Sequence, residues 1–194
     1  MKIKKANAIL GLLSILLLML HIGYSVFCYL TFYYDPRLKL LMAIPFMAVC
    51  CLHAILGMAS VFLLADGTRM DLYPKQNMET VLQRMSAALI FPLLLLHLKT
   101  FELLRGTAAG GQWFFFGLII FAQLLFYAAV LTHTAISLPR ALITMGWLAF
   151  PENIRKLKRI VYILGGIVFL TAAIAVVRGQ IAMIPMFLSS GGAS

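Results

Sequence analysis

The sequence predicts an all-α integral membrane protein, a bundle of five transmembrane helices with its N-terminus in the cytoplasm. Three observations carry this. The 194 residues are 63% hydrophobic and only 11% charged. Five apolar stretches are each long enough to span a bilayer. Lysine and arginine gather on alternate connections. A soluble domain needs charged side chains to cover its outside and has too few of them here. A mean hydropathy of +1.00 points to lipid as the solvent.

A spanning helix takes about 20 mostly apolar residues. The first span runs from about 6 to 34, the second from 38 to 64 and the third from 81 to 104. The fourth runs from 113 to about 138 and projects toward Trp147; the fifth runs from 160 to 177. Together they form one domain, residues 1–194. Pro45 and Pro92 fall inside spans, where neighbouring helices can satisfy the freed carbonyls. Short connections make sequence neighbours antiparallel partners in one bundle. Lys2, Lys4 and Lys5 before an apolar run imitate a signal peptide. The run is too long for one and no small-residue cleavage site clearly ends it, so the first helix is expected to be retained.

Orientation follows the positive charge. Lys2, Lys4, Lys5, Arg69, Lys75, Arg84, Arg140, Arg155, Lys156, Lys158 and Arg159 fall on one side, which is therefore cytoplasmic. Arg37, Lys39, Lys99, Arg105 and Arg178 make up the rest. Topology thus accounts for most of the net charge of +10, and no nucleic-acid partner is implied. The expected location is a bacterial or archaeal cytoplasmic membrane. Cys28, Cys50 and Cys51 lie in apolar runs, form no C-x-x-C pair and read as packing thiols.

The chain has four histidines, His21, His53, His97 and His133, one in each of the first four spans. Ionisable groups inside a membrane are costly and usually functional. A lone histidine can serve packing by hydrogen-bonding across helices, but one on each of four helices argues for a shared task. With a rise of about 1.5 Å per residue, His21 lies roughly 22 Å and His97 roughly 24 Å from the cytoplasmic start of their spans. His53 and His133 enter from the other face and sit toward the cytoplasm. The histidines therefore sort into two pairs at two depths. A haem iron takes one imidazole on each axial face, so two pairs fit two bis-histidine b-type haems. Zinc would want one tetrahedron, and a proton relay usually enlists carboxylates, of which these spans hold almost none, Glu102 lying near a span end.

Several stretches then look familiar. His53-Ala-Ile-Leu-Gly-Met58, Leu82-Gln-Arg-Met-Ser86 ahead of His97, His133 through Leu138-Pro139-Arg140, Met145-Gly-Trp147 and the basic run Ile154-Arg-Lys-Leu-Lys158 are the segments concerned. Together with the five spans they resemble the dihaem cytochrome b anchor subunit of succinate:quinone oxidoreductases, that is, succinate dehydrogenases and fumarate reductases of the five-helix, single-chain type. The resemblance implies that His53 and His133 hold a proximal haem near the cytoplasmic partners, and His21 and His97 a distal one. It implies a flavoprotein (FAD) subunit and an iron–sulfur subunit as partners, because this chain carries neither a dinucleotide-binding glycine signature nor cluster cysteines. Quinone, expected to be menaquinone, would be the membrane substrate, making the chain the quinone-reactive part of the enzyme. Some members carry a glutamate two residues before the fourth-helix histidine; here Leu131 stands there.

Haem propionates need cations or hydrogen-bond donors near the interfaces. Gln83, Arg84 and Arg140, with Asn7, are candidates on the cytoplasmic side; Arg37, Lys39, Lys99 and Arg105 are those outside. Each could equally be a topology charge or a snorkelling side chain. Gly57, four residues after His53, could admit a haem plane or simply serve close helix packing. Quinone chemistry needs an apolar slot and a proton acceptor near water. Glu102 and Asp35 are candidates, against the blander roles of an interfacial ion pair for Glu102 and an Asp-Pro turn for Asp35. The 155–159 basic loop could dock a partner or anchor the topology. Two rival readings are a cytochrome b anchor of a formate dehydrogenase or hydrogenase, and a haem-free transporter or assembly protein.

Overall fold

A computed structural model describes residues 2–64 and 74–191. It contains α1 (Lys2–Thr31), α2 (Pro36–Leu64), α3 (Pro74–Ala109), α4 (Trp113–Met145), α5 (Pro151–Ala182) and a short α6 (Ile184–Gly191). Five helices are long and apolar enough to cross a membrane, and no strand occurs among the described residues. Helices suit this composition because each satisfies its own backbone polar groups where water is absent.

The helices differ in extent from the apolar stretches. α1 stops at Thr31 rather than 34, because Phe32 takes the left-handed φ of 57°. The Tyr24 hydroxyl donates to the Asp35 carbonyl and accepts from the Asp35 N–H, each at 3.0 Å, which pins the turn. Asp35 Oδ1 accepts from the N–H groups of Arg37 (2.8 Å) and Leu38 (3.3 Å), so it caps α2, with Pro36 at the first helical position. α3 begins at Pro74 and ends at Ala109, outside the expected 81–104 at both ends. α5 begins at Pro151, so the basic run Arg155–Arg159 is helical, not a loop. Pro151 and Glu152 in the first turn favour a helix start there. Hydropathy marks only the lipid-crossing part of a helix, and charged turns extend beyond it. Arg69 lies outside the described residues.

α4 is central and packs against α1, α3 and α5. α1 also contacts α2 and α5, and α6 folds back on α3. The expected packing of sequence neighbours holds for α1–α2, α3–α4 and α4–α5. It does not hold for α2–α3: among the described residues, the backbone of α2 approaches only α1. The four histidine-bearing helices are thus two packed pairs, α1–α2 and α3–α4, joined along α1 and α4 and parted between α2 and α3. Side chains span that parting.

The two ends of the bundle are held differently. At one end Lys158 donates to both Glu79 oxygens, at 2.6 and 2.9 Å, and Arg140 lies 3.8 Å from the same carboxylate. This ties α5, α3 and α4 together. At the other end Leu104, Ala108, Phe116 and Phe187 form an apolar cluster that seats α6 on α3 and α4.

α4 ends on Gly146, with φ 80°. The N–H of Gly146 donates to Ile143 and that of Trp147 to Leu142, both at 3.0 Å, so the last carbonyls of the helix are satisfied. A side chain there would meet the left-handed penalty, so Gly146→Val is expected to lower stability in detergent by about 1–2 kcal/mol, measured by denaturant unfolding against the parent chain.

Candidate functional site

Inside an apolar bundle each ring nitrogen of a histidine must find a partner or bear the cost of going without one. His53 on α2 places Nδ1 3.2 Å from the backbone carbonyl of Asn7 on α1. A carbonyl can only accept, so Nδ1 carries the proton. His133 on α4 does the same toward the Gln83 carbonyl of α3, at 3.1 Å. Ser86 donates to that carbonyl at 2.9 Å and offers its oxygen to His133 Nδ1 at 3.4 Å. Both rings are thereby fixed in the Nδ1–H form, and among the described residues neither Nε2 receives a hydrogen bond.

The two rings lie 6.3 Å apart, centre to centre, inclined at 68°. A first-row metal takes an imidazole nitrogen at about 2.0–2.1 Å, so two axial imidazoles on one metal hold their ring centres roughly 6 Å apart. The pair fits that requirement in spacing and in tautomer.

The second pair lies farther along the bundle. His97 on α3 donates Nδ1–H to Gln123 Oε1 of α4 at 2.8 Å. The Gln123 amide nitrogen donates in turn to Thr100 Oγ1, and Thr100 donates to the Leu96 carbonyl at 3.0 Å. Gln123 is 1% exposed, so its orientation is set from both ends. His97 stacks on Phe126 at 4.9 Å, and its Nε2 also lacks a hydrogen bond among the described residues. His21 on α1 stacks on Phe46 of α2 at 5.6 Å, and its buried Nδ1 has no hydrogen-bond partner among the described residues. His97 is thus positioned by hydrogen bonds and His21 by ring packing.

The levels are separate. Gly11, which touches His53, and His21 are ten residues apart on α1, roughly 15 Å of helix. Ser86, which touches His133, and His97 are eleven apart on α3, roughly 16 Å. Two helices thus give the same offset. Among the described residues no three His, Cys, Asp or Glu side chains converge to hold one ion.

Beside the first pair, Arg140 Nη1 donates to Gln83 Oε1 at 2.6 Å and Nη2 to Thr80 at 3.0 Å, while Gln83 donates to Ser137 at 2.8 Å. Gln83 and Arg140 are therefore brought together, one residue supplying the His133 acceptor and the other bracing it. Arg84 is half-buried next in sequence. Asn7 contributes its carbonyl to His53, and its buried Oδ1 has no hydrogen-bond partner among the described residues. Among the described residues a methyl at Gly57 would meet only that Oδ1, at 3.9 Å, and no backbone atom of a neighbouring helix. Leu131 is buried and supplies no carboxylate to the interior.

At the other end Lys39 lies 5.4 Å from the Tyr34 ring centre and 5.9 Å from that of Phe101, bridging α2 to α3. Glu102 accepts from Lys99 at 2.7 Å on the exposed face of α3. With Phe101, Arg105, Met186 and Phe187 it lines a shallow groove of about 470 Å³ between α3 and α6. Asp35 does not join that groove; both its N–H contacts serve the α2 cap. Arg37, in the first turn of α2, is exposed.

Gln123, Thr100 and Glu79 were not singled out from the sequence, and Ser86 and Lys158 entered it only as members of the Leu82–Ser86 and Ile154–Lys158 segments and, for Lys158, as a topology charge. Gln123 had a usable signal, a lone amide in the middle of an apolar span. The roles of the others became visible only once α3 was set against α4 and α5.

No protein-family profile, curated protein or solved structure matches this chain.

Replacing Gln123 with Leu removes one acceptor and one donor from a closed interior. The orphaned His97 and Thr100 groups should lower stability by about 1–3 kcal/mol, read by thermal unfolding in detergent. Gln123→Glu, which keeps the acceptor, should recover part of that loss.

Proposed function

We propose that the chain is the membrane-anchor cytochrome b subunit of a succinate:quinone oxidoreductase. The observation that carries the reading is the state of the histidines. Three of the four have Nδ1 committed as a donor and Nε2 left without a partner among the described residues, and the His53 and His133 rings stand 6.3 Å apart. Packing histidines in an apolar bundle have no reason to withhold one nitrogen at so many positions. Metal-binding histidines do, because the Nδ1 hydrogen bond fixes the tautomer and raises the basicity of Nε2.

On this reading His53 and His133 hold the proximal haem b, and His21 and His97 the distal one. Two such haems, when bound, supply one-electron carriers across the bilayer. The protein orients the ligands, excludes water with apolar helices and supplies counter-charge at the interface. Arg140 sits in a half-buried network beside His133 and is suited to a propionate, with Glu79 and Gln83 holding the guanidinium meanwhile. The α3–α6 groove supports a quinone site at the distal end. It offers an apolar wall in Phe101 and Met186 and a carboxylate, Glu102, on the same surface. The basic start of α5, with Arg155, Lys156 and Arg159 exposed, faces the side expected to meet the iron–sulfur and flavoprotein partners. The same parts serve succinate oxidation and fumarate reduction, the partners' potentials setting the direction.

Pyridine haemochrome analysis of the purified protein is the test. Two haems b per chain are expected, falling to one in His53→Ala or in His21→Ala. A protein that carries no haem when coexpressed with its natural partners would overturn the reading.

A further inference from the structure

α1 bears neither histidine of the first pair, yet it touches His53 directly. The contact is made by Asn7 and Gly11, one helical turn apart. A helical carbonyl is already engaged by the N–H four residues on, and it can take a second donor only if that donor reaches it from outside the helix. A helical side chain covers the surface over the turn on its N-terminal side. The side chain at position 11 is therefore the one that would cover the carbonyl of residue 7, and position 11 is a buried glycine.

The surroundings of Gly11 tell what the missing side chain makes room for. A Cβ built there would lie 3.1 Å from His53 Cε1, 3.5 Å from Nδ1 and 3.8 Å from Nε2. Its three nearest neighbours are all atoms of one imidazole. Close helix packing would instead have put backbone or aliphatic atoms of α2 there. The neighbour that would have to give way is a planar ring held by a 3.2 Å hydrogen bond, not the free end of a flexible chain. Gly23, on the same helix, has nothing within 4 Å of the corresponding position.

We propose that Gly11 is a positioning residue of the proximal centre: it leaves the Asn7 carbonyl open to His53 and so fixes which ring nitrogen His53 presents toward His133. The proposal rests on the haem reading for its consequence, but the contact and the tautomer are properties of the chain itself. His133 is held in the same sense by the Gln83 carbonyl, where Ser86 adds a hydroxyl. The two ligands of the pair are thus both anchored by backbone carbonyls of a neighbouring helix. Those carbonyls belong to α1 and α3, which provide the ligands of the other pair.

The experiment compares Gly11→Ala, Gly11→Leu and Gly23→Ala in the full chain purified with its partners. It measures haem content and a redox titration of each haem's absorption. Gly11→Ala is expected to shift the His53 ring and weaken its hydrogen bond, raising the midpoint potential of the proximal haem and leaving the distal one in place. Gly11→Leu is expected to retain the proximal haem about 10-fold less well, with the distal haem present as evidence that the bundle has folded. Gly23→Ala should match the parent in every readout. Two haems with parental potentials in both Gly11 variants would overturn the positioning role while leaving the haem reading intact. If the parent carries no haem, that reading fails. The tautomer is then read from ¹⁵N shifts of labelled histidine in the same chains. His53 with Nδ1–H in the parent and without it in Gly11→Leu upholds the positioning; an unchanged His53 overturns it.

Discussion

The arrangement depends on one constraint: a polar atom inside an apolar bundle must be paired, and each imidazole brings two. For three of the four histidines the bundle answers by committing Nδ1 and sparing Nε2. For His53 and His133 the acceptor is a backbone carbonyl of the adjoining helix; for His97 it is the amide of Gln123. A protein that wanted only packing would have used apolar side chains at these depths, since unpaired polar groups cost about 1–3 kcal/mol each. Retaining a nitrogen that nothing among the described residues satisfies makes sense when a ligand completes it.

Helix pairing follows from the same constraint. Carbonyl anchors come from α1 and α3, and the rings they hold come from α2 and α4. α1 with α2 and α3 with α4 must therefore pack closely, whereas α2 and α3 need not meet. The bundle does this, and the His53–His133 contact crosses between the pairs. The ionic tie at one end, made by Glu79, Lys158 and Arg140, and the apolar seat of α6 at the other hold α3, α4 and α5 in register around the histidines.

Much of this was legible in the sequence. Lipid-spanning segments announce themselves by length and apolarity, so five helices could be read directly, and four histidines in four spans could be sorted by counting residues. Helix ends were less legible. α5 begins at Pro151 and α3 at Pro74 because charged turns are good helix formers that hydropathy does not register. The turn after α1 depended on Phe32 adopting a positive φ and on Tyr24 reaching Asp35, which no local pattern encodes. Within the site, histidine side chains are conspicuous by rarity, but their acceptors are mostly backbone carbonyls, which every residue has. Gly11 illustrates the difficulty: it lies 42 positions from the histidine it touches, and its role exists only in the packed pair.

The central claim is that the histidines act in two specified pairs, each on its own metal centre. Electron paramagnetic resonance of the oxidised, purified protein tests it most directly. Two low-spin ferric signals are predicted. His53→Ala and His133→Ala should abolish one low-spin signal, and His21→Ala and His97→Ala the other. A spectrum without low-spin haem, or variants in which His53 and His97 remove the same signal, would contradict the account.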